Sequence, residues 1–220
     1  MGDLFQFSSS ASLEKLTGRK AFNLDGLLEL VRTCPDSCIF YHTFSAFRRM
    51  REVQVPYNND FAIWISMKVH EDALAEKLMA IDVAEYNTIE SLRARLIEIM
   101  EDYRKEQPLV FQKAAEAPFY LCDSVRIVYL TDKFAYNLKS FRDSLQTISV
   151  DSLYFHFIES RLQTHLQTDD FSRWMEESLD MPDLAERVRN IDINVYTLEG
   201  LRTRLLQVID EYIGEMDRRS

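Results

Sequence analysis

The chain repeats itself. At an offset of 114 residues, Phe5, Ser10, Leu16, Thr17, Ala21, Asn23, Leu24, Thr33 and His42 recur as Phe119, Ser124, Leu130, Thr131, Ala135, Asn137, Leu138, Thr147 and His156. Past residue 51 the second copy is four residues shorter, and Asp60, Phe61 and Trp64 return as Asp170, Phe171 and Trp174. Leu74-Ala75-Glu76 then returns as Leu184-Ala185-Glu186, Ile81-Asp82 as Ile191-Asp192, and Tyr86 as Tyr196. After one further deletion, Thr88, Glu90, Leu92, Arg93, Arg95, Leu96 and Tyr103 return as Thr197, Glu199, Leu201, Arg202, Arg204, Leu205 and Tyr212. The order never breaks. Such a repeat constrains the fold strongly, because whatever the first half builds the second half must also be able to build. The predicted organisation is one helical repeat over 5–103, a linker over 104–118 that carries Pro108 and Pro118, and a second helical repeat over 119–213.

Within each copy the apolar spacing is helical. Leu24, Leu27, Leu28 and Val31 make one stripe, echoed by Leu138, Phe141 and Leu145. A second helix is predicted after Ser37 and after Asp151, read as N-caps. Asn59 and Asp169 are expected to cap a third, whose inner face is Phe61, Trp64 and Ile65, or Phe171, Trp174 and Met175. Leu74, Leu78 and Ile81 mark a fourth, matched by Leu184, Val188 and Ile191, with Asp180 as cap ahead of Pro182 in the second copy. The fifth starts at the caps Thr88 and Thr197 and carries Leu92, Leu96, Ile99 and Tyr103, or Leu201, Leu205, Val208 and Tyr212. With only five glycines and five prolines, a turn-rich all-β chain is excluded. The expected fold class is therefore all-α, a tandem duplication of a helical unit of roughly 95 residues with about five helices. The leading segments, 5–18 and 119–132, stay open: the first copy suggests a helix ending at Gly18. In the second copy Val125, Ile127, Val128, Tyr129 and Leu130 fit a strand as well.

Charge limits the partners. There are 26 Lys and Arg against 36 Asp and Glu, a net charge of −10. This excludes general nucleic-acid binding and disfavours anionic membranes. No apolar run approaches a membrane span, and Met1-Gly2-Asp3-Leu4 lacks the basic and apolar regions of a secretory signal, so a cytoplasmic address is expected. Cys34, Cys38 and Cys122, odd in number and sparse, read as reduced thiols. No glycine-rich phosphate loop, no nucleophile elbow, no paired-histidine zinc motif and no dinucleotide fingerprint is present, so no cofactor is expected.

The candidates are polar or aromatic residues shared by the copies or adjoining the shared ones. His42 and His156 sit in the aromatic runs Phe40-Tyr41-His42 and Tyr154-Phe155-His156, and an imidazole there can act as acid, base or ligand. A buried, hydrogen-bonded histidine is the competing reading, and metal ligation lacks a second and third ligand in sequence. Asp60 with Trp64, and Asp170 with Trp174, share a helix face at i and i+4. Tyr41 and Tyr154 complete the candidate ligand-binding set; no residue is assigned as catalytic or metal-binding. Glu76/Glu186, Asp82/Asp192, Arg93/Arg202 and Arg95/Arg204 read as surface or inter-helix ion pairs.

The series Ser37–His42, Asp60–Trp64, Leu74–Glu76, Ile81-Asp82 and Leu92–Leu96, repeated as Asp151–His156 through Leu201–Leu205, resembles a prokaryotic family of domains of unknown function. The resemblance implies a duplicated, mainly helical protein and no catalytic role. The leading expectation is a non-enzymatic module that binds a protein partner or a small ligand, with homo-oligomerisation open. The alternative is an enzyme or sensor built on a histidine–carboxylate site, with or without a metal, repeated in both copies.

Overall fold

A computed structural model describes residues 3–53, 58–160 and 168–219. Strand β1 (Phe5–Ala21) leads into helices α1 (Leu24–Thr33) and α2 (Asp36–Phe40), then a π-helical turn (Tyr41–Ser45) and α3 (Ala46–Val53). Helix α4 (Asp60–Trp64) runs into a second π-helical turn (Ile65–Val69), followed by α5 (Asp72–Met79) and α6 (Ile89–Glu106). Strand β2 (Phe119–Ala135) opens the same series again: α7 (Leu138–Leu145), α8 (Val150–Tyr154), a π-helical turn (Phe155–Glu159), α9 (Asp170–Glu177), α10 (Pro182–Arg189) and α11 (Leu198–Arg219).

The all-α expectation is overturned. β1 and β2 form a two-stranded antiparallel sheet beside the helices, so the fold is mixed. Of the two readings of the leading segments, the strand holds in both, and Gly18, expected to end a helix, lies inside β1 at φ 78. The strand partners lie more than 100 residues apart in sequence. Thr17 Oγ1 donates to the Leu121 carbonyl and Thr131 Oγ1 to the Phe7 carbonyl, each at 2.7 Å. A ladder satisfied by so distant a segment leaves no local period to read.

Two compact units result. The first comprises residues 1–11 with 127–220, the second residues 12–126. In the first, the start of β1 packs on helices from the second half of the sequence: Phe5 lies 5.7 Å from Phe171 and 5.4 Å from Trp174, and Phe7 lies 5.5 Å from Phe141. In the second unit, Phe119 of β2 lies 5.4 Å from Phe61 and 5.7 Å from Trp64. Each tryptophan ties down the residue just ahead of the strand. Trp174 Nε1 donates to the Asp3 carbonyl (2.7 Å) and Trp64 Nε1 to the Ala117 carbonyl (2.8 Å).

The caps follow the sequence in part. Asn59 and Asp169 accept from the amides of Ala62 and Ser172, and Thr88 and Thr197 from those of Ser91 and Gly200. The predicted caps Ser37 and Asp151 are displaced. α2 starts at Asp36 behind Pro35, and Ser149 caps α8. Asp180 is no cap either: it adopts φ 56, and His70 adopts φ 59 at the matching place, each ending a helix by the left-handed turn that asparagine or glycine usually supplies.

Burying a phenylalanine stabilises by about 2–3 kcal/mol, and truncating one in a core costs about 3–5 kcal/mol. Phe7→Ala should therefore loosen amide protection in α7, α8 and α9, and Leu121→Ala in α1, α2 and α4, as read by hydrogen exchange. Loosening of α1, α2 and α4 by Phe7→Ala would contradict the exchange of strands between halves of the sequence.

Candidate functional site

The sequence places His42 on a helix, but a regular helix does not by itself aim the ring. The π-helical turn over Tyr41–Ser45 inserts one residue and rotates the following face, and Phe155–Glu159 does the same for His156. Neighbouring hydroxyls bond back to carbonyls four residues earlier. Thr43 Oγ1 donates to the Ile39 carbonyl and Ser160 Oγ to the His156 carbonyl, each at 2.6 Å.

Both rings are buried, His42 at 3% and His156 at 4% exposure, and both make the same pair of bonds. The Cys122 backbone N–H donates to His42 Nε2 at 2.9 Å, and the Ser8 backbone N–H donates to His156 Nε2 at 2.7 Å. An Nε2 that accepts carries no proton, so the proton sits on Nδ1 and is donated to a carboxylate: Asp60 at 2.9 Å, Asp170 at 2.8 Å. Each imidazole thus bridges a strand amide to a carboxylate at the start of a helix. Phe119 lies 4.7 Å from the His42 ring and Phe5 5.0 Å from the His156 ring, closing the apolar side.

An arginine completes each pair, from a different place in the chain. Arg49 of α3 donates to both Asp60 oxygens (3.0 and 3.3 Å) and stacks 4.7 Å from the centre of the Tyr41 ring. Arg173, three residues past Asp170, donates to it at 2.7 Å. The i,i+3 spacing makes Arg173 legible in sequence; Arg49 has no such signal. Around the second unit's histidine, the Cys122 thiol donates to Glu14 at 3.5 Å. Burial, followed by the bond to Glu14, raises the Tyr41 phenol above the usual tyrosine range. In the first unit the corresponding neighbourhood holds Ser10, whose hydroxyl donates to the buried Glu159 at 3.1 Å.

The structure therefore gathers His42, Asp60, Trp64 and Tyr41 in one unit and His156, Asp170 and Trp174 in the other. Tyr154, the remaining candidate, is wholly buried. Neither histidine keeps a ring nitrogen free for a ligand. Among the described residues no group of three or more His, Cys, Asp or Glu could hold a metal ion. Arg93 and Arg202, read as surface or inter-helix ion pairs, also close helix ends. Arg93 donates to the Val31 carbonyl at 2.7 Å and Arg202 to the Leu145 carbonyl at 2.6 Å, while their ion pairs go to Asp36 and Glu199. Exposure concentrates elsewhere. On β2, Val125, Ile127, Val128, Tyr129 and Leu130 all face solvent, Leu130 at 68%.

The thiols are unreactive by position. All three are buried; burial lifts Cys34 above its ordinary value, Cys38 to about 12 and Cys122 to about 11, with Glu14 adding to the last. Only the thiolate is a nucleophile, so alkylation of Cys38 and Cys122 in the native protein at pH 8 should run at least about a hundredfold slower than for free cysteine and rise about tenfold per pH unit toward pH 10. Fast labelling at pH 8 would contradict these environments.

Known proteins place the chain. OrfY from Thermoproteus tenax has a similar structure, with a TM-score of 0.81 and 29% sequence identity over 95% of this chain and 95% of that one. No curated protein matches in sequence. A family of unknown function, DUF5752, matches residues 2–210 as a single span, so the match does not show two tandem copies. Among the described residues no helix is long and apolar enough to cross a membrane. With a match over nearly its whole length, this chain belongs to the DUF5752 family.

Proposed function

We propose that the chain is a non-enzymatic binding module for a protein partner or a small ligand. The observation that carries this reading is the run Ile127–Leu130 of the first unit, where four apolar side chains stand in solvent on β2. Exposed apolar surface of this kind marks interaction sites more often than it marks nothing. The use of both ring nitrogens of His42 and His156 for structure counts against the histidine–carboxylate enzyme or sensor. The recurring residues support two tandem copies of one ancestral unit, each keeping its histidine as a tie between strand and helix. Three buried free thiols support a cytoplasmic setting.

The two classes of function differ in what alanine does. Replacing His42 strands the Cys122 amide and removes a partner of Asp60, a loss of about 2–4 kcal/mol. That corresponds to about 5–15 °C in melting temperature for a chain of this size. His156→Ala should behave alike, and neither Zn2+ nor Mn2+ should raise the melting temperature of the parent protein. A site histidine would give the reverse: an alanine variant as stable as the parent or more so, and a metal-dependent rise that disappears with it. Val128→Lys/Leu130→Lys, by contrast, should leave melting within about 1–2 °C while abolishing a cross-linked complex formed in a lysate of the source cells. An unchanged set of complexes would count against the strand as the binding surface.

A further inference from the structure

In the second unit the slot between the start of α1 and the far end of α6 is filled. After α6 the chain turns back through a short 3-10 turn (Val110–Gln112), and Phe111 is completely buried there. The Arg104 guanidinium lies 5.9 Å from the Phe111 ring centre while pairing with Asp25 at 3.0 Å. The Ala115 amide then donates to the Phe22 carbonyl at 2.8 Å, fixing the segment against the start of α1.

In the first unit the same two elements are α7 and α11. α11 runs straight on to Arg219, and no described segment of the unit folds back over α7. The slot is open: a cavity of about 610 Å3 remains, within the size range of ligand pockets. Four of its ten lining residues are apolar. Met181, Ile213 and Met216 stand where the second unit's sequence has Glu71, Arg104 and Gln107, and Leu138 forms the floor. At the rim, Arg142 bonds Asp210 at 2.9 and 3.1 Å and lies 3.6 Å from Asp143, and Lys139, Arg142, Asp143, Asp210 and Asp217 together carry one negative charge in excess.

We infer that this cavity takes an aromatic side chain of a partner protein's peptide segment that carries a basic residue close by. The aromatic side chain would fill the apolar slot as Phe111 fills its counterpart, and the basic residue would answer the excess carboxylate at the rim. The chain's own segment Phe111-Gln112-Lys113 has this chemistry. The inference rests on the binding-module reading and names one partner class for it.

A labelled synthetic peptide of residues 106–117 tests it by fluorescence anisotropy with the full chain. Saturable binding is expected, weakened about tenfold or more when the peptide's phenylalanine is alanine, the loss expected for one buried aromatic ring. Met216→Arg in the protein should weaken it as much. Met216 is 42% exposed, so the melting temperature should hold. Asp217→Lys should weaken binding in low salt only. Absence of saturation at about 1 mM peptide, or equal binding to Met216→Arg, overturns the assignment. Because the binding-module reading stands on the histidine and strand variants, such a failure would remove this site and leave that reading intact.

Discussion

A backbone amide donated into a buried imidazole ties each strand to its helices. Cys122 reaches His42 and Ser8 reaches His156, and the carboxylates of Asp60 and Asp170 fix each ring in the tautomer that can accept. A lysine or arginine could only donate, and a carboxylate buried beside Asp60 would repel it. The aromatic ring ahead of each amide, Phe119 or Phe5, then seals the bond from water, which strengthens it. Several residues that recur between the two halves are thus explained by packing and hydrogen bonding, among them the arginines that close α1 and α7.

The sequence showed the helices well and the strands poorly. Amphipathic spacing and the caps Asn59, Asp169, Thr88 and Thr197 are local signals, satisfied within a few residues, and they hold in the structure. β1 and β2 depend on a partner more than 100 residues away, and Ser8 to Ser12 carry no hydrophobic alternation that would announce a strand. The caps that moved, Ser37 and Asp151, sit beside residues that can also begin a helix, and sequence preference alone does not choose between neighbours.

The candidate site was legible as residues and illegible as geometry. His42, Asp60 and Trp64 were identifiable because they recur, and recurrence does not distinguish a ligand pocket from a tie in the core. The deciding facts are which atom faces Nε2 and which face the π-helical turn presents. Neither has a signature in residue type. Arg49 and Arg173 serve one role from unrelated positions, so the comparison of halves that revealed the histidines conceals the arginines.

The membership of residues 1–11 in the first unit has a consequence for synthesis on the ribosome. That unit is otherwise built from residues 127–220, so Phe5 and Phe7 emerge well before their partners. At about 5–20 residues per second, this part of the chain waits roughly 8–35 s for Phe171 and Trp174 to be made. Until then two phenylalanines, and until β2 emerges an unpaired strand edge, are open to any nearby chain. The serine-rich stretch Ser8-Ser9-Ser10 that follows them lowers the hydrophobicity of the waiting segment, and so its tendency to aggregate.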